Sequence, residues 1–433
     1  MFNEKNIVLA FAAMSDVHIT AETYYDSQDK LRNAIDYNNE IAKRDGVKLD
    51  AFCFCGDMLD RGWESQAKMF SDIMLEKIQD DQKIFYAIGN HEHLSSPGAE
   101  VTLKFVRLDL GEKYFEDDLE TKEEYDLGLR KMRIKDYLFI AIQAESWYAP
   151  GPNKYTKRRL DFLEDALKEE SIKNPGKYVF VFNHSMAYGT CYGSDLDGPD
   201  SMWNTTELTP ILSKYPNAIL IGGHLHFPLN DERTIMQDTF TAIGDGCVTY
   251  MAIENGGYEY MINRTVMRDR LEFSQNLIFE LDDVGNCRIR RIDCYNKDEI
   301  KIPWDLDAPD KEKNHLKKYT SERGNKENNN VPSMNGHAYL GERLEEDKKI
   351  VTLTFDSGCD DDFVHRYIIT YFVDGEKAGE KRILADFYKH PHPKDMKKSY
   401  TLDLCEKEVG KTYSAEVYCI DSWNAESNTI KAE

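Results

Sequence analysis

The chain reads as an α/β domain followed by a small all-β domain. Short, nearly continuous apolar runs recur up to about residue 300, separated by segments with helical spacing. Every motif able to do chemistry lies just past the end of one of those runs, where open α/β sheets bind their ligands. A polar stretch, residues 308–330, then gives way to β-rich runs parted by Gly, Asp and Pro.

The apolar runs at 7–14, 51–55, 83–88, 137–143, 178–182 and 218–221 predict strands covered on both faces. Between them, Leu31, Ala34, Ile35, Ile41 and Ala42, then Ala67, Phe70, Met74 and Ile78, repeat at helical spacing. Residues 159–170 form a third amphipathic helix, with Leu160, Leu163 and Leu167 inward. The alternating runs 275–281 and 287–294 predict strands of a second sheet. A length of 433 residues predicts two or three domains. Their boundaries fall at 1–309 for the α/β part, 310–330 for a polar linker and 331–433 for the β domain.

Composition narrows the partners. A hydrophobic content of 41% supports sizeable cores. The net charge of −23 argues against nucleic acid or an anionic membrane as a general partner, because both would be repelled. No apolar run is long enough for a membrane-spanning helix. Nine cysteines, an odd count without disulfide-framework spacing, predict reduced thiols and a cytoplasmic protein. A secreted or cell-surface protein whose signal peptide was removed is the alternative. Cys53 and Cys55 alternate in one strand and read as small buried hydrophobes.

All six histidines among the first 310 residues fall in short motifs after strands. In order these are Asp16-Val17-His18, Gly56-Asp57, Gly89-Asn90-His91-Glu92-His93, Asn183-His184 and Gly223-His224-Leu225-His226. Asp16, Asp57, Asn90, His18, His184, His224 and His226 supply hard oxygens and imidazole nitrogens in a proportion that suits two divalent metal ions, Mn, Fe or Zn. One bridging ligand would give each ion four protein donors and leave positions open for water and substrate. A carboxylate bridges best, and Asp57 is central in the order of motifs. Two cations about 3.5–4 Å apart generate hydroxide at neutral pH, so the expected reaction is attack of a metal-bridging hydroxide on phosphorus. About two positive charges remain after the carboxylates are counted, enough to attract a small phosphorylated substrate to an acidic chain.

His91 stands outside this donor count and is suited to protonate the leaving-group oxygen. Asp60 is expected to accept a hydrogen bond from its other ring nitrogen, and Arg61 to offer a planar fork to phosphate. His93 reads as a supporting or structural residue. Tyr148, Tyr188, Tyr192 and Trp203 are candidates for stacking on an apolar leaving group.

With those motifs in this order, residues 6–305 resemble the calcineurin-like metallophosphoesterase superfamily. The resemblance implies a four-layer α/β/β/α sandwich. It also implies one metal on Asp16, His18, Asp57 and His226 and the other on Asp57, Asn90, His184 and His224. The segment from Gly56 to Gly62, with Gly89-Asn90-His91-Glu92, is similar to the Ser/Thr protein phosphatase branch. Ile19-Thr20 after His18 and the Gly-His-x-His ending depart from that branch toward phosphodiesterase-like members. Asp60 stands where purple acid phosphatases carry Tyr, which argues against an iron–tyrosinate centre.

Residues 331–433 resemble a fibronectin type III sandwich through Leu353-Thr354-Phe355, Tyr367, a Tyr corner at Tyr413, Val417-Tyr418 and the turn Asp421-Ser422-Trp423-Asn424. Protein or glycan contact through this domain is a further expectation. Asp360-Asp361-Asp362 and His390-Pro391-His392 read as solvated loops. Hydrolysis of a small phosphodiester or phosphomonoester is the expected function. Protein phosphatase-like activity, or an extracellular binding protein with an ancillary hydrolase, are the alternatives.

Overall fold

A computed structural model describes residues 2–94, 99–115, 117–145, 147, 155–199 and 201–433. The chain divides into two compact units, Met1–Ile253 with Asp269–Thr320, and Glu254–Arg268 with Ser321–Glu433.

Two sheets make the centre of the first unit. In one, Ile7–Met14, Ala51–Cys55 and Lys83–Ala87 run parallel, and Gln275–Asp282 joins antiparallel on the far side of Ile7–Met14. Cys287–Asp293 continues this sheet outward. In the other, Tyr137–Ala141, Val179–Phe182, Ala218–Gly222 and Thr241–Gly244 are parallel, with Arg130–Ile134 and Ile235–Gln237 antiparallel at the edges.

The period of two in each strand sorts the side chains between layers. Phe11, Ala13, Cys53, Cys55 and Phe85 share a buried core with Phe139, Phe180, Phe182, Ile219 and Ile221 of the facing sheet. Phe11 sits at its centre, 4.7 Å from the Phe279 ring in a parallel stack and edge-on to Phe139 and Phe180. Ala10, Ala12 and Met14 point the other way, into a core with Leu31, Ile35, Phe70 and Met74 of helices Ser27–Arg44 and Glu64–Lys77. Helix Lys157–Lys173 buries Phe162, Leu163 and Leu167. The fold is the expected α/β/β/α sandwich. Cys53 and Cys55 are small core residues whose thiols burial pushes well up, and all nine cysteines are free.

Two expectations change. Residues 275–281 and 287–294 extend the first sheet, where Phe279 pairs with Phe11, rather than building the second. Apolar alternation marks a strand but does not name its neighbour. The polar stretch 310–330 is also held in place. Gln237 accepts main-chain N–H groups of Lys318 and Tyr319, and buried His315 meets the Pro216 carbonyl at 3.0 Å. The unit boundary falls at Thr320/Ser321. The few anchoring residues were hidden among charged neighbours.

In the second unit, Ala338–Glu345, Lys348–Asp356 and Ser399–Glu406 form one sheet, and Glu376–Leu384, Val364–Val373, Tyr413–Asp421 and Ile430–Ala432 the other. Phe355, Tyr367 and Tyr400 join them with ring centroids 4.8–5.7 Å apart. The Tyr413 hydroxyl accepts the Glu408 N–H at 2.7 Å, the hydrogen bond of a Tyr corner.

Candidate metal centre

Asp16 and His18 follow Ile7–Met14, Asp57 follows Ala51–Cys55, and Asn90 and His91 follow Lys83–Ala87. His184 follows Val179–Phe182, and His224 and His226 follow Ala218–Gly222. All seven expected ligands are buried, none more than 5% exposed.

Asp16, His18, Asp57, His224 and His226 all adopt left-handed backbone, with φ between 47° and 68°. For non-glycine residues this costs about 1–3 kcal/mol each and persists only where the surroundings enforce it. The sharp turns fold each side chain back over its strand end. Glycines make the room. A Cβ on Gly89 would overlap Asp57 Oδ1, and one on Gly56 would lie 2.7 Å from His184 Nδ1 and the Gly89 nitrogen.

Donor atoms gather in overlapping groups: Asp16, His18 and His226; Asp57, His184 and His224; and His18, Asp57 and His91, each within 4.8 Å. His226 Nε2 lies 3.0 Å from Asp16 Oδ1 and 3.5 Å from His18 Nε2. His184 Nε2 lies 3.1 Å from both Asp57 Oδ2 and Asn90 Oδ1. Three of these histidines have a ring nitrogen fixed by a carbonyl. His184 Nδ1 meets Cys55 O at 2.7 Å, His226 Nδ1 meets Tyr250 O at 3.0 Å, and His224 Nε2 meets Met202 O at 3.1 Å.

The electrostatics shows two carboxylates competing for positive charge. Burial alone would raise the Asp16 and Asp57 carboxyls, yet His226 and His184 hold both below the usual range. Burial opposes the charged form of His184, but Asp57 and Asp16 lift it to about 9. His226 is raised in the same way by Asp16. Burial and the neighbouring His184 push His224 down to about 3.

His91 Nδ1 lies 2.7 Å from the main-chain oxygen of Asp60, whereas the Asp60 carboxylate is 3.8 Å away. Asp60 therefore orients the ring through its backbone, because the turn brings the carbonyl closer than the side chain. Arg61 is exposed and lies 3.3 Å from the Asp60 carboxylate. His93 belongs to none of the three groups, and burial with Arg159 nearby holds it to about 4. Trp203 lies against His224, centroids 4.9 Å apart. Tyr192 packs on Phe227 with the Arg233 guanidinium over its ring, Tyr188 is half-buried, and Tyr148 lies outside the described residues.

Several supporting residues escaped sequence reasoning. Ser15 Oγ joins Asp16 Oδ2 (2.5 Å) to Asp245 Oδ1 (2.6 Å), and Thr249 donates to the Asp16 carbonyl. Tyr25 and Tyr250 pack beside His18. Only the Gly-rich setting of Asp245, Gly244-Asp245-Gly246, signalled another strand-end turn.

A family profile described as calcineurin-like phosphoesterase matches residues 9–228, just over half of the chain. No curated protein matches. Among solved structures, a purple acid phosphatase from yellow lupin (Lupinus luteus) seeds is similar over 72% of this chain, with 15% identity and a TM-score of 0.50. The likeness is one of fold, and the chain covers 56% of that structure's length. A candidate 5′-nucleotidase from Staphylococcus aureus, in complex with alpha-ketoglutarate, aligns over 98% of this chain and 89% of its own. Its identity is 11% and its TM-score 0.38. On the profile match, the chain belongs to the calcineurin-like phosphoesterase family.

Proposed function

We propose that this phosphoesterase hydrolyses a small-molecule phosphodiester or phosphomonoester at a centre of two divalent ions, Mn, Fe or Zn. The observation that carries the reading is the pair of buried donor groups, Asp16 with His18 and His226, and Asp57 with His184 and His224. Asp16, His18, Asp57 and His226 would hold one ion, and Asp57, Asn90, His184 and His224 the other.

The residues fit such ions. Asp16 Oδ1 meets no donor in hydrogen-bonding geometry although His226 Nε2 is 3.0 Å away. A close approach off the hydrogen-bonding direction is what two atoms show when both point at a common cation. When bound, two such ions supply a nucleophilic water at neutral pH and offset the charge of the phosphate.

The protein's own groups do the rest. Asp60 O accepts from His91 Nδ1, and a protonated Nε2 gives its proton to the leaving-group oxygen. The Asn90 amide nitrogen is left for a phosphate oxygen while Oδ1 faces His184. Arg61, exposed at the rim, adds its guanidinium to the same anion.

Metal analysis with a rate survey tests this. Turnover of bis(p-nitrophenyl) phosphate, p-nitrophenyl phosphate or a cyclic nucleotide is expected with Mn²⁺, Zn²⁺ or Fe²⁺. Protein that binds these metals and hydrolyses none of the esters would refute the proposal.

A further inference from the structure

Two tyrosine rings that the chemistry above does not use, Tyr25 and Tyr250, form a surface with the His18 ring at the metal centre. The centroids of His18, Tyr25 and Tyr250 stand 6.2, 5.5 and 5.4 Å apart in a triangle, and the three planes are inclined by only 18–36°. Near-parallel rings at such separations cannot form a linear stack. Tyr250 lies across both of the others as an offset backing, and His18 and Tyr25 lie side by side.

The backing is rigid. Tyr250 O receives His226 Nδ1. The preceding carbonyl, Thr249 O, accepts from Lys30 Nζ at 2.5 Å, and the same ammonium is bound by Leu271 O and Phe273 O. This half-buried, carbonyl-chelated lysine, with no carboxylate among these three partners, fixes the main chain on which Tyr250 stands. Tyr25, by contrast, is half-buried, and the Tyr24 ring outside it is 53% exposed. The Tyr24 and Tyr25 rings meet edge-on at 4.9 Å.

The location gives the surface its meaning. The His91 ring stands edge-on to His18 at 4.4 Å, so the paved surface adjoins the group that would protonate the leaving-group oxygen. Tyr25 and His91 both pack against the His18 ring, with centroids 6.2 and 4.4 Å from it.

We propose that Tyr25, backed by Tyr250, is a specificity-determining subsite for a planar aromatic or heteroaromatic leaving group, so that the preferred substrates are aryl or nucleoside phosphate esters. This rests on the hydrolytic reading for its biological use, while the subsite itself can be measured by binding alone. A ring stacked there gains dispersion and quadrupole contacts that a saturated or absent group cannot make.

The test is calorimetric binding of phenylphosphonate, cyclohexylphosphonate and methylphosphonate to the full-length, Mn²⁺-loaded protein. Phenylphosphonate is expected to bind about tenfold more tightly than methylphosphonate, and several-fold more tightly than cyclohexylphosphonate, which has similar bulk without a π face. In Tyr25→Leu the phenyl-to-methyl ratio should shrink to within twofold, and in Tyr25→Phe it should persist. A wild-type protein that binds all three equally, or a Tyr25→Leu variant that keeps the full ratio, overturns the proposal. The wild-type comparison stands even if Tyr25→Leu does not fold. Ring discrimination without hydrolysis of any ester would sink the enzyme reading and spare the subsite; hydrolysis without ring discrimination would do the reverse.

Discussion

Glu92 holds Asp57 in place from 35 residues away. Its Oε2 accepts the main-chain N–H of Asp57 at 3.0 Å and of Gly89 at 2.8 Å, and its Oε1 that of Leu59 at 2.8 Å. One fully buried carboxylate thus ties together the two turns that carry Asp57 and Asn90. Burial, with Asp57 close by, raises the Glu92 carboxyl to about 7.

Replacing Glu92 by Gln puts an amide N–H₂ against main-chain N–H groups. Leaving buried donors unpaired costs about 1–3 kcal/mol, so Glu92→Gln should lower the unfolding midpoint and weaken metal retention together. Calorimetry and metal analysis check this, and an unchanged midpoint would show that the three hydrogen bonds contribute nothing net.

The Gly89–Asp57 approach gives a steric test. Because a Cβ at position 89 would overlap Asp57 Oδ1, Gly89→Ala should displace the Asp57 carboxylate. Hydrolysis is expected to fall at least a hundredfold with the fold intact by circular dichroism. Near wild-type turnover would mean that Asp57 can shift without harm.

His91 and Asp57 should separate chemistry from metal binding. Asp57→Asn is expected to remove most of the metal and the activity. His91→Ala should retain both ions and lose rate mainly for esters with poor leaving groups. Equal metal loss in the two variants would reassign His91 as a ligand.

Glu232 provides a pH test remote from the metal centre. Burial would raise its carboxyl, but Arg291 and Lys301 with the Trp304 N–H pull it from 4.5 to about 2. Its pKa is lower folded than unfolded, so its contribution is full above about pH 4.5 and is lost as pH falls from there toward 2. The linked stability is about 3 kcal/mol at most. Urea midpoints between pH 6 and pH 3 should fall more steeply in the wild type than in Glu232→Gln, and parallel slopes would remove Glu232 from acid stability.

The strands 7–14, 51–55 and 218–221, and the seven side chains that the structure gathers after strand ends, could be read from residue order. Apolar runs that stop at Asp, Asn or His carry a local signal, and local signals survive in one dimension. Pairing does not. Nothing in residues 275–281 says that Phe279 lies beside Phe11, and nothing in the polar run 310–330 reveals that His315 is buried against Pro216.

Sequence alone determined the chemistry available here, because carboxylate, amide and imidazole donors after strand ends are a matter of composition and order. Tertiary structure decided which groups cooperate. That Asp60 orients His91 by its carbonyl, that Glu92 clamps two turns, that Lys30 anchors the chain beside Tyr250 and that Tyr25 lies beside His18 all depend on contacts between distant segments. Such contacts follow from close packing of the whole core, which a local pattern of residues does not encode.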